Sequence, residues 1–158
     1  MTDTRIPTRS RPDIPKDYGI PETEAGMIEW GWVEDELRNA HNYWLATVRA
    51  DGRPHTVPSW GAWVGGRFYF GGGPNTRHSR NLEGNPHISI HLESGKEVVI
   101  VEGIAQKVEN LDPAIMAQIE GDYVIKYGAG EGANFVVIPR VAFAWKEYPT
   151  TVTRFKWE

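Results

Sequence analysis

The chain has 158 residues, a length that corresponds to one domain with a single hydrophobic core. It carries 17 Lys and Arg against 21 Asp and Glu, and a net charge of −4 disfavours a protein that binds nucleic acid through phosphate contacts. The absence of cysteine excludes disulfides, thiolate metal sites and cysteine nucleophiles. With no apolar leader and no run of about 18 apolar residues, the sequence predicts a cytoplasmic protein that does not enter a membrane.

The first 26 residues are predicted to form an extended N-terminal arm, and residues 27–158 a single folded domain. The arm contains four prolines among polar residues, a composition that cannot bury enough apolar surface to fold alone. We therefore expect it to become ordered only by lying against another surface. From Met27, apolar side chains recur at steps of three and four residues, which predicts an amphipathic helix ending near Asn42.

The next thirty residues are rich in strand signals. The segment Tyr43–Arg49 is β-branched and aromatic, and Asp51-Gly52 after it favours a tight hairpin turn. The return strand, Arg53–Val64, contains two prolines, so we expect it to be bulged or to lie at an edge of the sheet. A Gly-Gly turn then leads to Arg67–Gly71. The pattern predicts three strands in meander order.

The second half of the chain combines short helices with further strands. A glycine-rich turn leads into a short helix at Thr76–Glu83, with Asn75 or Thr76 as its N-cap. Asp112-Pro113 begins another helix that is expected to end near Gly121. The buried face of this second helix is predicted to be Ile115, Met116 and Ile119. Strands are predicted at His87–Glu93, Glu97–Glu109, Phe135–Trp145 and Thr151–Trp157. Antiparallel hairpins with inserted helices predict an α+β fold, in which a small barrel of about six to eight strands would remove exposed edges.

One stretch of this acidic chain contains no carboxylate. Residues 52–82 hold no Asp or Glu but four arginines, namely Arg53, Arg67, Arg77 and Arg80. The turn before Thr76 presents backbone N–H groups and the positive end of a helix dipole, both of which attract phosphate. Arg77 falls in the first turn of this helix, where a cation opposes the dipole unless an anion compensates it. The pattern favours a phosphate site; a solvated helix face after an ordinary glycine loop is the alternative.

Other patterns that could carry chemistry are weaker. Ser59 and Trp60 combine a small residue with a large ring, which would let a flat ligand approach the backbone. A bulged edge strand with Trp60 and Trp63 in the core is the alternative. His87 and His91 would lie about 13 Å apart in a strand, too far to bind one metal. No nucleophile elbow, Walker loop or dinucleotide fingerprint occurs. The sequence therefore assigns no catalytic residue and predicts no metal site.

Three segments in a fixed order carry a resemblance to a known family: YWLATVRADGRPHTVPSWGAW, RFYFGGGPNTRHSRNLEGNPHISIHL and EVVIVEGIAQKV. They are similar to the flavin-binding split β-barrels of the pyridoxamine 5′-phosphate oxidase-like superfamily, including its flavin and deazaflavin oxidoreductase branch. The resemblance covers residues 43–109 and, more loosely, Arg154-Phe155-Lys156-Trp157. It implies an antiparallel split β-barrel and a homodimer with two cofactors at the subunit interface.

The resemblance also assigns residues to the cofactor. Its phosphate motif falls on Thr76-Arg77-His78, and His78 stands where the oxidase motif has lysine. The edge of the flavin ring would lie along the second strand, and C-terminal Arg and Trp side chains would approach the ring from the same or the other subunit. The implied cofactor-binding residues are His55, Thr56, Val57, Pro58, Ser59, Trp60, Thr76, Arg77, His78, Arg80, Arg154 and Trp157. The C-terminal signature that holds pyridoxamine phosphate in true oxidases is absent, so that substrate is not expected.

The function that these features imply is a flavin-dependent oxidoreductase that binds FMN and transfers hydride to or from a small organic substrate. One alternative is a reductase of the same fold that uses the deazaflavin coenzyme F420, whose long anionic tail would need further basic residues beyond the phosphate site. Another is a non-catalytic flavin-binding carrier or sensor. A barrel that stacks single-stranded nucleic acid on aromatic side chains is a third class, which the net charge disfavours.

Overall fold

The structure, a computed structural model, describes residues 6–130 and 132–158. These residues form three α-helices: α1 (Trp30–Asn39), α2 (Arg77–Gly84) and α3 (Pro113–Tyr127). They also form nine strands: β1 (Thr8–Ser10), β2 (Tyr43–Val48), β3 (Pro54–Ser59), β4 (Ala62–Val64), β5 (Arg67–Phe70), β6 (His87–His91), β7 (Val98–Lys107), β8 (Phe135–Trp145) and β9 (Thr153–Lys156). None of the helices within these ranges is both long enough and apolar enough to cross a bilayer.

All of the strand pairings are antiparallel, and the sheet is split along β8. The main path runs β1-β9-β8-β7-β6-β2-β3. Residues 135–137 of β8 pair with both β7 and β5, whereas residues 141–144 pair with β7 and β9. The two ends of β8 therefore lead into different wings of one open sheet. The α+β class and the split antiparallel sheet are confirmed, with nine strands in the described residues rather than six to eight.

The predicted return strand divides into two strands at Trp60-Gly61. β3 pairs only with β2, so its prolines lie on an edge strand, as predicted. β4 pairs with β5 and not with β3, so the prediction of a three-strand meander is wrong. At the division, a Cβ on Gly61 would lie 2.2 Å from the ring of Phe68. This close approach of backbone to ring requires glycine, and it marks where the chain passes from one wing to the other.

The helices follow their local signals except where tertiary packing overrides them. Of the two predicted caps, Thr76 is the N-cap of α2. α1 begins at Trp30 because its N-cap, Glu29, is extended, so the buried residues Met27 and Ile28 precede the helix. α3 continues past Gly121 to end before Gly128, which is left-handed with φ +75°. A glycine inside a helix costs about 1 kcal/mol, and burial of side chains such as Tyr123, two residues further on, offsets it.

The hydrophobic core has two parts. The larger lies between the sheet and α1, where Val33 and Leu37 are fully buried. The smaller lies under α3, where Ile119 and Tyr123 pack against residues of β4 and β5. Met116, which was predicted to lie on the buried face of α3, is instead 43% exposed, because the helix contacts the sheet through Ile119 and Tyr123.

The described part of the N-terminal arm, residues 6–26, pairs with the edge of the sheet, and residues 1–5 of the predicted arm lie outside the described residues. β1 pairs with β9, and the guanidinium of Arg11 donates to four backbone carbonyl oxygens at 2.7–2.9 Å: those of Thr23, Ala25, Thr150 and Val152. The surface that orders the arm therefore belongs to the same chain. By pairing with β9, the arm also covers a strand that would otherwise end the sheet with unpaired backbone groups.

Candidate functional site

Helix α2 begins where the acid-free stretch leaves β5. The Oγ1 of Thr76 accepts from the Ser79 N–H at 3.4 Å and lies 2.9 Å from the Gly73 carbonyl, to which it donates. These bonds cap the helix and place Arg77 at its first position. Because its hydroxyl is already engaged in the turn, Thr76 shapes the site, and the exposed cation next to it is Arg77.

Three arginines line one cavity between α2 and the turn that joins β2 to β3. Arg77 and Arg80 lie three residues apart on one face of α2, and Arg49 follows the end of β2. The cavity has a volume of about 630 Å³. Within the described part of the chain, none of the three arginines pairs with a carboxylate. A cavity in the size range of ligand pockets, with three uncompensated cations, is suited to an anionic ligand.

Arg49 is a residue of this cavity that the sequence analysis missed. It stands two positions before Asp51, just outside the acid-free stretch, and it reaches the site only because the β2–β3 turn folds over α2. The signal that could have found it is an arginine at the end of the strand that pairs with β3, the strand expected to lie along the ring. Arg53 does not join the cavity, since its Nε lies 2.9 Å from Asp51 Oδ2, and Arg67 lies on β5 in the other wing.

His55 links the cavity to β3. Burial lowers the pKa of His55, and the nearby charges of Arg49 and Arg77 lower it further. Its Nδ1 is buried without a hydrogen-bond partner among the described residues. A buried ring nitrogen without a partner, flanked by two cations, marks this as the place where an acceptor or an anion from a ligand would be stabilised.

A buried polar contact fixes α2 against β2. Asn81 Nδ2 donates to Thr47 Oγ1 at 3.0 Å, and both side chains are almost fully buried. Thr47 is paired in register with His55 on β3. The bond therefore sets the position of the arginines on α2 relative to His55 and to the end of β2.

The residues expected to hold the ring lie along β3, which is an edge strand. Thr56 and Pro58 are exposed, and His55, Val57 and Ser59 are half-buried. Because β3 pairs only with β2, the backbone groups along its other edge have no strand partner in the described residues. These groups are available to a flat ligand.

Trp60 lies on the surface at the end of β3. Its ring stacks on Tyr127 of α3 with centroids 4.4 Å apart and planes 6° apart, and it remains 42% exposed. Tyr127 is fixed in turn, because its OH donates to the His41 carbonyl and accepts from the Gly61 N–H. The alternative is therefore wrong for Trp60 and right for Trp63, which is 1% exposed in the core.

His78 points away from the arginine cavity. It is half-buried beside the Phe70 ring, at 5.9 Å between centroids, and a Cβ on Gly72 would lie 2.3 Å from its Nε2. Burial lowers the pKa of His78. The side chain follows Arg77 by about 100° around α2, so it faces the glycine turn while Arg77 faces the cavity. His78, which stands where the oxidase motif has lysine, therefore packs against the glycine turn.

Arg154 and Trp157 make their contacts elsewhere in the chain. Arg154 reaches Ser10 Oγ at 3.2 Å and Asp13 Oδ2 at 3.3 Å, and Trp157 packs edge-on against Trp30 with centroids 4.9 Å apart. Arg154 lies on β9 and Trp157 directly follows it, and β9 stands five positions from β3 in the sheet order. The structure does not bring these two residues to β3 within one chain. Among the residues that the structure describes, no three His, Asp or Glu side chains are grouped to hold a metal.

The part of the chain that forms the arginine-lined cavity, the capped helix α2 and the edge strand β3 matches a known sequence family. The family model described as pyridoxamine 5′-phosphate oxidase matches residues 32–146, more than two thirds of the chain. The chain belongs to the pyridoxamine 5′-phosphate oxidase family. The matched range includes β3, α2 and all three arginines of the cavity. Among curated proteins, none matches the sequence significantly.

Solved structures with the fold of this family resemble the chain at low identity. A FAD-binding protein from Mesorhizobium loti is 16% identical over 83% of this chain and 96% of its own, with a TM-score of 0.60. An F420 reductase is 23% identical over 69% and 94%, with a TM-score of 0.53. A heme-binding protein from Mycobacterium smegmatis is 20% identical over 74% and 55%, with a TM-score of 0.60. At these identities the likeness shows a shared fold.

Proposed function

We propose that this member of the pyridoxamine 5′-phosphate oxidase family binds a flavin-type cofactor through its phosphate and transfers hydride to or from a small organic substrate. The observation that carries the proposal is the cavity with three unpaired arginines between α2 and the β2–β3 turn, two of which, Arg49 and Arg77, lie close enough to His55 of β3 for their charges to lower its pKa. FMN has the phosphate and the flat ring that such a site requires. The FAD-binding protein and the F420 reductase of similar fold support the class of cofactor.

The residues have separate roles in this proposal. Arg77 and the first N–H groups of α2 bind the phosphate, and the helix dipole adds to the attraction. The unpaired backbone edge of β3 hydrogen-bonds the rim of the ring, and Trp60, held by Tyr127, excludes water at one end. A bound flavin supplies the hydride-transfer chemistry, which explains why the described residues show no acid–base constellation of their own. The lack of cysteine fits the reducing cytoplasm, where we place the reaction.

The spectrum of the purified protein tests this proposal. We expect the protein, as isolated or after addition of FMN or F420, to show the visible absorption of the bound cofactor. We also expect the reduced holoprotein to be reoxidised by at least one organic acceptor faster than the free cofactor is. Binding without any acceleration would instead favour the carrier or sensor. Failure to bind FMN, FAD or F420 would contradict the proposed function.

We also propose that a second copy of the chain covers the outer face of the sheet. Phe143, Ile100, His91 and Trp44 follow one another in register across β8, β7, β6 and β2, and all four are half-buried. Arg154 is paired with Phe143, so it projects from this face. Another copy seated here would bring its own Arg154 towards a cofactor, which one chain alone does not achieve.

Replacing Ile100 by aspartate is expected to convert the dimer into monomers, because it places a charge in the centre of an apolar interface. Sedimentation equilibrium should give about twice the chain mass of 17.8 kDa for the wild type and one chain mass for Ile100→Asp. Ile125→Asp is the matched control, since Ile125 is 85% exposed on α3, and this variant should remain dimeric. A monomeric wild type would exclude the dimer.

A further inference from the structure

We infer that the arginine cavity holds a second acidic group of the same cofactor, beyond its first phosphate, and that Arg49 binds this group. The inference rests on the proposed function and goes beyond it, because it selects among flavin-type cofactors. FMN has one phosphate, whereas FAD and F420 both continue past theirs into a further acidic group. That further group is the chemistry for which Arg49 would be specific.

The three arginines of the cavity carry more positive charge than one phosphate monoester neutralises. Arg49, Arg77 and Arg80 together contribute +3, and a phosphate monoester carries about −1.5 to −2 at pH 7. About one positive charge remains uncompensated. Asp51, the carboxylate on the adjacent turn, mainly balances Arg53, because it accepts from both the Nε and the backbone N–H of Arg53, and the charge of Arg49 acts on it more weakly.

The shape of the cavity leads away from the helix start. Its lining includes Arg77 at the first residue of α2, Gly84 at the last and Asn85 just beyond, so it follows the helix for about 12 Å at 1.5 Å per residue. Arg49 lies across the cavity on the β2–β3 side. A phosphate at the first turn fills only one end of this space. The cavity volume of about 630 Å³ corresponds to a ligand of several groups.

The walls of the cavity are held in place before any ligand binds. The buried bond from Asn81 to Thr47 joins α2 to β2 directly beneath the arginines, and Arg49 follows that strand by one residue. His55 is close enough to both Arg49 and Arg77 for their charges to act on it, so the two cations flank one point of β3. Arg49 is thus positioned to bind the continuation of a ligand whose phosphate lies at Arg77.

Affinities for three cofactors test the inference. FMN, FAD and F420 are titrated into wild type, Arg49→Gln, Arg77→Gln and the control Arg53→Gln, which removes a neighbouring arginine already paired with Asp51. We expect wild type to bind FAD or F420 at least tenfold tighter than FMN. Arg49→Gln should reduce that preference at least tenfold, Arg77→Gln should weaken all three cofactors, and Arg53→Gln should change the preference by less than twofold. The cofactor, FAD or F420, whose affinity falls more in Arg49→Gln is the one whose second acidic group Arg49 binds.

Two results would overturn the inference while the proposed function stands. One is a wild type that binds FMN as tightly as it binds FAD and F420. The other is an Arg49→Gln variant that weakens all three cofactors equally, or none of them, since Arg49 would then not distinguish a second acidic group. If none of the three cofactors binds the wild type, the proposed function itself fails.

Discussion

Replacing Arg77 by glutamate lowers the affinity for FMN by at least about 100-fold and leaves the protein folded. A hydrogen bond to a charged group contributes about 1.5–3 kcal/mol, which is about 10- to 100-fold in affinity, and the reversed charge adds repulsion of the phosphate. The fold tolerates the change because residue 77 is exposed at the first position of α2, where a carboxylate interacts favourably with the helix dipole by about 0.3–1 kcal/mol.

Two measurements check this expectation. Titration followed by flavin fluorescence gives the affinity, with Arg53→Glu as a matched charge reversal on an exposed arginine outside the cavity. In the NMR titration of the protein without cofactor, the pKa of His55 should rise in Arg77→Glu, because Arg77 lowers it in the wild type. An unchanged FMN affinity in a folded Arg77→Glu variant would show that the phosphate does not bind at the start of α2.

Replacing Gly103 by alanine destabilises the protein by about 1–3 kcal/mol, the usual cost of forcing extra volume into a packed interior. Gly103 lies at the irregularity in the pairing of β7 with β8. A Cβ at this position would lie 2.3 Å from the carbonyl oxygen of Ile138. Because the obstructing atom belongs to the backbone of the neighbouring strand, relief requires the β7–β8 ladder itself to shift.

The same substitution has the opposite sign at another position. Gly121 lies inside α3, and nothing within 4 Å would meet an added Cβ. Gly121→Ala should therefore raise the free energy of unfolding by about 0.5–1 kcal/mol through helix propensity and reduced freedom of the unfolded chain. Urea unfolding measures both variants, and the thermal midpoint should move by about 2–4 °C per kcal/mol. Equal effects at the two positions would contradict the packing argument.

The sequence was informative wherever a signal acts over a few residues. The Asp112-Pro113 start of α3 and the bounds of β8 are observed as predicted, and Thr76 is one of the two caps predicted for α2. The prolines of Arg53–Val64 also indicated an edge strand correctly, because proline has no N–H to donate to a neighbouring strand. The family resemblance, carried by the order of three segments, is confirmed by the family model.

Other features depend on which distant segments meet. Gly121 suggested a helix end, yet α3 continues because burial of Tyr123 compensates for the glycine. The stretch from 53 to 64 reads as one strand, but close packing of Gly61 on Phe68 accompanies its division between two wings. Trp157 could be assigned to a cofactor from its position in the motif, whereas in the chain it packs on Trp30. Such outcomes are set by packing energies that no local pattern contains.

The acid-free stretch shows the same division most clearly. By itself, the sequence determined that an acidic chain keeps carboxylates away from the start of α2, since the number and order of charges are properties of the chain alone. Only the tertiary structure decided which arginines act together: Arg53 pairs with Asp51, Arg67 lies in the other wing, and Arg49 joins Arg77 and Arg80. The physical reason is that electrostatic interactions depend on distance in space, and pairing of β2 with β3 against α2 fixes those distances.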